Sequence, residues 1–174
     1  MHIVLLNDSL PPESAGGAGR IAWQLGHGLI AAGHRVTFVT ATEGPARIET
    51  RQGITVHLLH SRYAARWQAW FGLLNPQTVI PLNRLLRKLD PDIVHAHNVH
   101  YHLGYHSLVI GRYSHAATVF TAHDVMPFAY TKMTYFIDPS NPQQCDSFDY
   151  RLPVGFNWRQ MRLRWNPARN LSIR

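Results

Sequence analysis

Three short stretches hold residue types whose spacing could do chemistry. The first, "PPESAGGAGRIAWQLG" (residues 11–26), sets a glycine-rich turn before a helical pattern. Unpaired N–H groups and the positive end of a helix dipole point the same way at such a turn, which makes it an anion site. Gly17, Gly19 and Ala22 satisfy the dinucleotide pattern G-x-G-x-x-A. About ten residues with two prolines separate them from the preceding strand, however, and that argues against a dinucleotide. No Gly-Lys-Ser/Thr follows, so a Walker loop is excluded. The competing structural role is a tight turn and close helix–sheet packing.

The second stretch is histidine-rich: His95, His97, His100, His102 and His106 fall within twelve residues. His-x-His at a strand end is a metal-ligand arrangement, so a metal-dependent hydrolase using His95, His97 and His100 is one functional alternative, and a non-catalytic binding domain is another. A common hydrolase pattern places an acid just before the third histidine, and Val99 stands there instead. Asp124 is a distant further ligand, and His102 and His106, four apart on an expected helix, share one face. Hydrogen bonding at the strand end, or contact with an acceptor, is the other role open to these side chains. The third stretch is "FTAHD", where His123 and Asp124 follow an expected buried parallel strand. That places them at the carboxyl edge, where open α/β sheets bind ligands.

These residues need a scaffold, and the chain supplies one. "HIVLL" reads as a strand buried on both faces. Ile21, Leu25, Leu29 and Ala32 recur at helical spacing as its buried face, with Gly33 as a left-handed cap. "RVTFVTA" and, after a turn region, "ITVHLLH" read as strands; "RYAARWQAWFGLL" reads as a helix with one apolar side. "IPLNRLLRKLDPD" is a helix stopped by Asp90-Pro91, "DIVHAH" a buried strand, "YHLGYHSLVIGRY" a helix and "ATVFTAH" another strand. Strands alternating with helices predict a doubly wound, Rossmann-like parallel sheet with helices on both faces. Residues 124 to 157 read as a long ordered loop. Residues 1–150 form the expected domain and 151–174 a basic helical tail, expected to be the truncated start of a connection to a second domain.

Composition narrows the function classes. The 174 residues, 45% apolar and 16% charged, suit one globular domain rather than a disordered chain. No basic region precedes the first apolar run, which stops at Leu6, so no signal peptide is read and a cytoplasmic location is expected. Cys145 is the one cysteine, which excludes an internal disulfide and a paired-cysteine zinc site. Of the net charge of +7, only +1 belongs to residues 1–150; the tail carries six arginines and no acid. Arginines beside tryptophans, from Arg62 to Leu74 and again in the tail, suit an anionic bilayer. A core-packing helix with solvated arginines is the plainer alternative, and no recognised nucleic-acid motif is present.

Together, "SAGGAGRIAWQLGHGLIAAGHRVTFVTA", "PDIVHAHNVHYHLG" and "ATVFTAHD" resemble, in order and spacing, the N-terminal, acceptor-side domain of glycosyltransferase family 4, over most of residues 1–125. The resemblance implies half of a GT-B fold and a nucleotide-sugar-dependent glycosyltransferase, with the donor as substrate and no separate cofactor or metal. It implies that Gly16 and Gly17 approach the donor diphosphate, that Arg20 supports that loop or the phosphate, and that His123, with Asp124, acts at the donor sugar and reaction centre. It gives His97 and Asn98 to the acceptor. It further implies retention of anomeric configuration, a glycan or lipid-linked acceptor, polysaccharide biosynthesis at the inner face of a membrane, and a donor domain outside this chain, without which the chain is inactive.

Overall fold

β1 (His2–Leu6) is buried along its whole length, as a continuous apolar run must be at the centre of a parallel sheet. Alternate residues feed two cores. Val4 and Leu6 meet Val39, Leu82, Leu86 and Val94 on one face, while Ile3 and Leu5 meet Ala22, Phe38 and Val56 on the other. The computed structural model describes residues 1–13 and 16–124, and the backbone of Tyr135–Asp138 and Asn141–Ser147. It divides into two units, Met1–Thr121 and Ala122–Arg174. The expected domain boundary at residue 150 and the helical tail lie outside the described residues.

In the first unit β1 is followed by α1 (Gly17–Ala31), β2 (Arg35–Thr42), β3 (Arg47–Arg51), β4 (Ile54–His60), a single 3₁₀ turn (Ala65–Trp67) and α2 (Gln68–Phe71). Then come α3 (Pro76–Leu89), β5 (Ile93–Ala96), α4 (His106–Tyr113) and β6 (Ala117–Phe120). The sheet order is β3-β4-β2-β1-β5-β6, parallel except for β3 against β4. This is the doubly wound Rossmann-like sheet that the alternation predicts.

Local chemistry explains the element ends, and several differ from expectation. Gly33 at φ +83 closes α1 in a Schellman turn, its N–H donating to the Ile30 carbonyl while His34 N–H donates to Leu29. α1 buries only part of the expected face: Leu25 and Leu29 pack partly buried against the core, but Ile21 is 52% exposed, and Gly19, Ala22 and Gly26 are the buried residues of the helix. Close approach as well as apolar volume selects the buried face. α3 starts earlier than expected, with Pro76 after Asn75, whose side chain caps Gln77 N–H at 3.0 Å.

The helix expected over residues 62–74 reduces to the 3₁₀ turn and the four residues of α2. Gly72 ends it where a Cβ would overlap the His100 carbonyl. α4 starts at His106, so His102 lies in the preceding loop and the two do not share a helix face. β3 occupies what reads as a turn region, joined to β4 through Gln52 and Gly53, both at positive φ. β6 is not buried: it is the edge strand, and Ala117, Thr118 and Val119 are exposed. In the second unit, β7 (Tyr135–Asp138) and β8 (Asn141–Ser147) pair antiparallel where a long loop is expected. Among the described residues no helix is long and apolar enough to cross a membrane.

The tightest helix–sheet contact is testable. A Cβ on Gly26 would stand 2.6 and 2.7 Å from two ring carbons of the fully buried Phe38. Gly26→Ala is expected to destabilise the chain by about 1–3 kcal/mol through overpacking, seen as a lower urea midpoint. An unchanged midpoint would show that α1 is free to lift from the sheet.

Candidate functional site

The strand order reverses at β1, with β2 and β4 to one side and β5 and β6 to the other. The carboxyl ends of β1 and β5 therefore form the switch-point rim at which such sheets bind ligands. The two loops leaving those ends are bound together. Asp8 N–H donates to the Asn98 carbonyl at 2.7 Å, and Asn98 N–H donates to Asn7 Oδ1 at 3.0 Å. The buried Asp8 carboxylate accepts from the backbone N–H groups of Tyr101 (2.7 Å), His102 (2.9 Å) and Leu103 (2.7 Å). Burial pushes its pKa up to about 6, against the pull of those three donors towards the ionised form.

Helix α3 holds the same loop from its other side. Asn75 Nδ2 donates to the His102 carbonyl at 2.5 Å and to Ser61 Oγ at 2.8 Å, and Thr78 Oγ1 donates to the His102 carbonyl at 3.1 Å. Ser61 Oγ in turn pairs with His102 Nδ1 at 2.9 Å, and burial lowers the pKa of that imidazole. A cavity of about 310 Å³ opens beside it, lined by Asp8, Leu10, Thr40, Thr42, Glu43 and His102 among others. The buried Thr40 hydroxyl borders it without a hydrogen-bond partner among the described residues.

The start of the glycine loop is anchored to β3. Arg51 Nη1 donates to the Pro11 carbonyl at 2.9 Å, and its guanidinium pairs with Glu13 at 2.8 Å. Burial works against the charge on Glu13, but the Arg51 bonds win and hold its carboxyl below the usual range. At the far end of the loop Gly16 is the N-cap of α1, in extended conformation, and the first turn carries no acidic residue. Gly16, Gly17 and Arg20 are exposed there, with nothing within 4 Å of where a Gly17 Cβ would be.

Of the acceptor candidates, His97 is 1% exposed and stacks on His95 with ring centroids 4.3 Å apart, while Asn98 is half-buried at the rim. His95 Nε2 pairs with Thr121 Oγ1 at 2.8 Å, and His100 is buried edge-on to Tyr101. Among the described residues no group of three or more His, Cys, Asp or Glu side chains is placed to hold a metal ion. His123 and Asp124, both half-buried, belong to the second unit. Asp8 and Thr40 are the residues that sequence reasoning missed. Asp8 does carry a signal, since it is an acid two residues after the buried β1.

A family model described as Glycosyltransferase Family 4 matches residues 15–171. The chain belongs to glycosyltransferase family 4. Its parallel sheet fits the N-terminal domain of a GT-B glycosyltransferase. Three solved structures are similar to this family 4 chain at low identity. An E. coli structure described as trehalose-6-phosphate bound with UDP-2-fluoro glucose is 14% identical, with a TM-score of 0.39, over 71% of this chain and 33% of that one. A trehalose-6-phosphate synthase is 16% identical at 0.40, over 71% and 34%, and an apo structure of OtsA is 18% identical at 0.39, over 71% and 33%. The chain spans about a third of the length of these structures. No curated protein matches it.

The Asp8 clasp has a pH signature. Its folded-state pKa lies above the ordinary 3.8, so the folded chain holds this proton more tightly than the unfolded chain does. The resulting stability is full below the ordinary value and is lost as pH rises through about 6. The two-unit displacement corresponds to about 3 kcal/mol. The unfolding free energy of the wild type minus that of Asp8→Asn is expected to fall by about that amount across this window in urea titrations. A difference flat with pH would show that Asp8 keeps one charge state throughout.

Proposed function

We propose that this family 4 chain forms the acceptor side of a nucleotide-sugar-dependent glycosyltransferase of GT-B type and one wall of its donor-diphosphate site. The observation that carries this reading is the family match over residues 15–171, which takes in the glycine N-terminus of α1 and the rim above β5. Gly16 and Gly17 bring the dipole end of α1 to the donor diphosphate, and Arg20 in the first turn adds a fixed positive charge. Asn98 and the edge of His97 meet the acceptor, with the cavity beside Thr40 and His102 receiving its body. His123 and Asp124 act at the donor sugar.

Transfer is retaining, by attack of the acceptor hydroxyl on the face from which the diphosphate departs. The acceptor oxygen forms the new bond to the anomeric carbon as the bond to the diphosphate oxygen breaks. The acceptor proton passes to the departing phosphate, so no protein nucleophile is required. Stabilisation of the developing diphosphate charge is then the main catalytic effect of the protein. The donor is a substrate, and no metal or cofactor enters this account. The acceptor is a glycan or lipid-linked sugar met at the inner face of a membrane, in polysaccharide biosynthesis.

Turnover on this reading needs a donor-binding domain beyond the acceptor side. The purified 174-residue chain is expected to show no sugar transfer in a radiolabelled-donor assay, and measurable transfer would overturn that requirement. In an enzyme that joins this chain to such a domain, His123→Ala is expected to lower kcat by about a hundredfold or more with little change in Tm. Wild-type kcat in that variant would reduce His123 to a structural residue.

A further inference from the structure

Between Glu49 and Asp90 the sequence holds no acidic residue, while Arg62, Arg66, Arg84, Arg87 and Lys88 are all exposed within it. Among the described residues none of these five cations takes part in an ion pair. The same segment leaves large apolar groups in solvent: Trp67 is 47% exposed, Trp70 43%, Leu74 44% and Ile80 57%. Single exposed apolar residues are ordinary, but four within fourteen positions, set among unpaired cations, are not.

The local structure holds these groups ready. Gln77 accepts from Arg62 N–H at 2.8 Å and donates to the Arg62 carbonyl at 3.0 Å, tying the segment after β4 to the first turn of α3. Trp67 stacks on Phe71, with Arg66 over its other neighbourhood at 5.8 Å from the ring centre. Along α3, Pro76, Ile80, Arg84 and Arg87 recur at helical spacing on the exposed stripe opposite the buried Leu82 and Leu86.

We propose that the exposed face formed by the Trp67–Leu74 segment and the outer stripe of α3 docks on an anionic lipid bilayer. Tryptophan rings settle at headgroup depth, aliphatic groups below them, and arginines and lysines meet the acidic headgroups. A nucleic acid would use the cations and could stack on tryptophan, but it offers nothing to Leu74 and Ile80. A second copy of the chain would bring like charge against like. The proposal gives a surface to the membrane reading above and rests on it only for the lipid-linked acceptor. Vesicle binding needs no nucleotide sugar, so the two readings fail separately.

The test is sedimentation of the full 174-residue chain with vesicles of phosphatidylcholine alone or mixed with phosphatidylglycerol, at low and high salt. Binding is expected with the mixed vesicles only, and salt should release it. Arg84→Glu with Arg87→Glu should weaken it about tenfold or more, and Trp67→Ala with Trp70→Ala, or Ile80→Glu, should weaken it at unchanged circular dichroism. The same dependence should persist when the six arginines after residue 150 are replaced by glutamine. Wild-type binding by all three variants would move the contact to another surface and overturn the proposal. So would equal binding to neutral vesicles, capture of polyuridine in place of lipid, or a dimer in sedimentation velocity that Trp67→Ala with Trp70→Ala dissolves.

Discussion

The rim of this sheet depends on one buried carboxylate. Asp8 is surrounded by protein with no cation among its bonded partners, and three backbone N–H groups stand in for the water it gives up. A buried charge tolerates few alternatives to such a cradle. The loop after β5 must therefore bend so that three successive N–H groups converge on one point. Its shape is dictated less by its own sequence than by an acid that β1 delivers from more than ninety residues away.

Once that bend is fixed, its neighbours have little freedom. The His102 carbonyl, turned away from Asp8, meets Asn75 and Thr78, and Asn75 also caps α3. One asparagine thus joins the start of a helix to the wall of the cavity. Tyr105 N–H donating to the Gly72 carbonyl and His106 N–H donating to the Leu73 carbonyl complete the enclosure. Gly16 and Gly17 stand apart from these bonds, on the end of a helix whose Gly19, Ala22 and Gly26 are buried.

The central strands and their direction were legible because β1, β2, β4 and β5 are apolar where the sheet buries them. β3 was not, since Arg47, Glu49 and Arg51 alternate on an exposed edge where no burial is demanded. The face of α1 was legible only in part: periodicity counts apolar side chains and finds Leu25 and Leu29, whereas contact with Phe38 admits only the absence of one at Gly26. The extent of α2 could not be read locally either; a carbonyl from the loop after β5 sets it. At the site, Gly16, Gly17 and the strand-end histidines announce themselves by type and spacing. Asp8 does not, because its role exists only once residues 101–103 come to meet it, and the Thr40 hydroxyl looks like any other in a β-branched strand.

A helix that rests on glycine has no cushion. Side chains such as leucine or methionine absorb small errors of position by changing rotamer, but the contact of Gly26 with the Phe38 ring offers no such adjustment. Gly17 stands nine residues up the same rod, about 13 Å away at 1.5 Å per residue. α1 therefore behaves as a rigid lever with its fulcrum deep in the core and its working end at the rim. The accuracy with which that end is placed is set by a phenyl ring buried in the core.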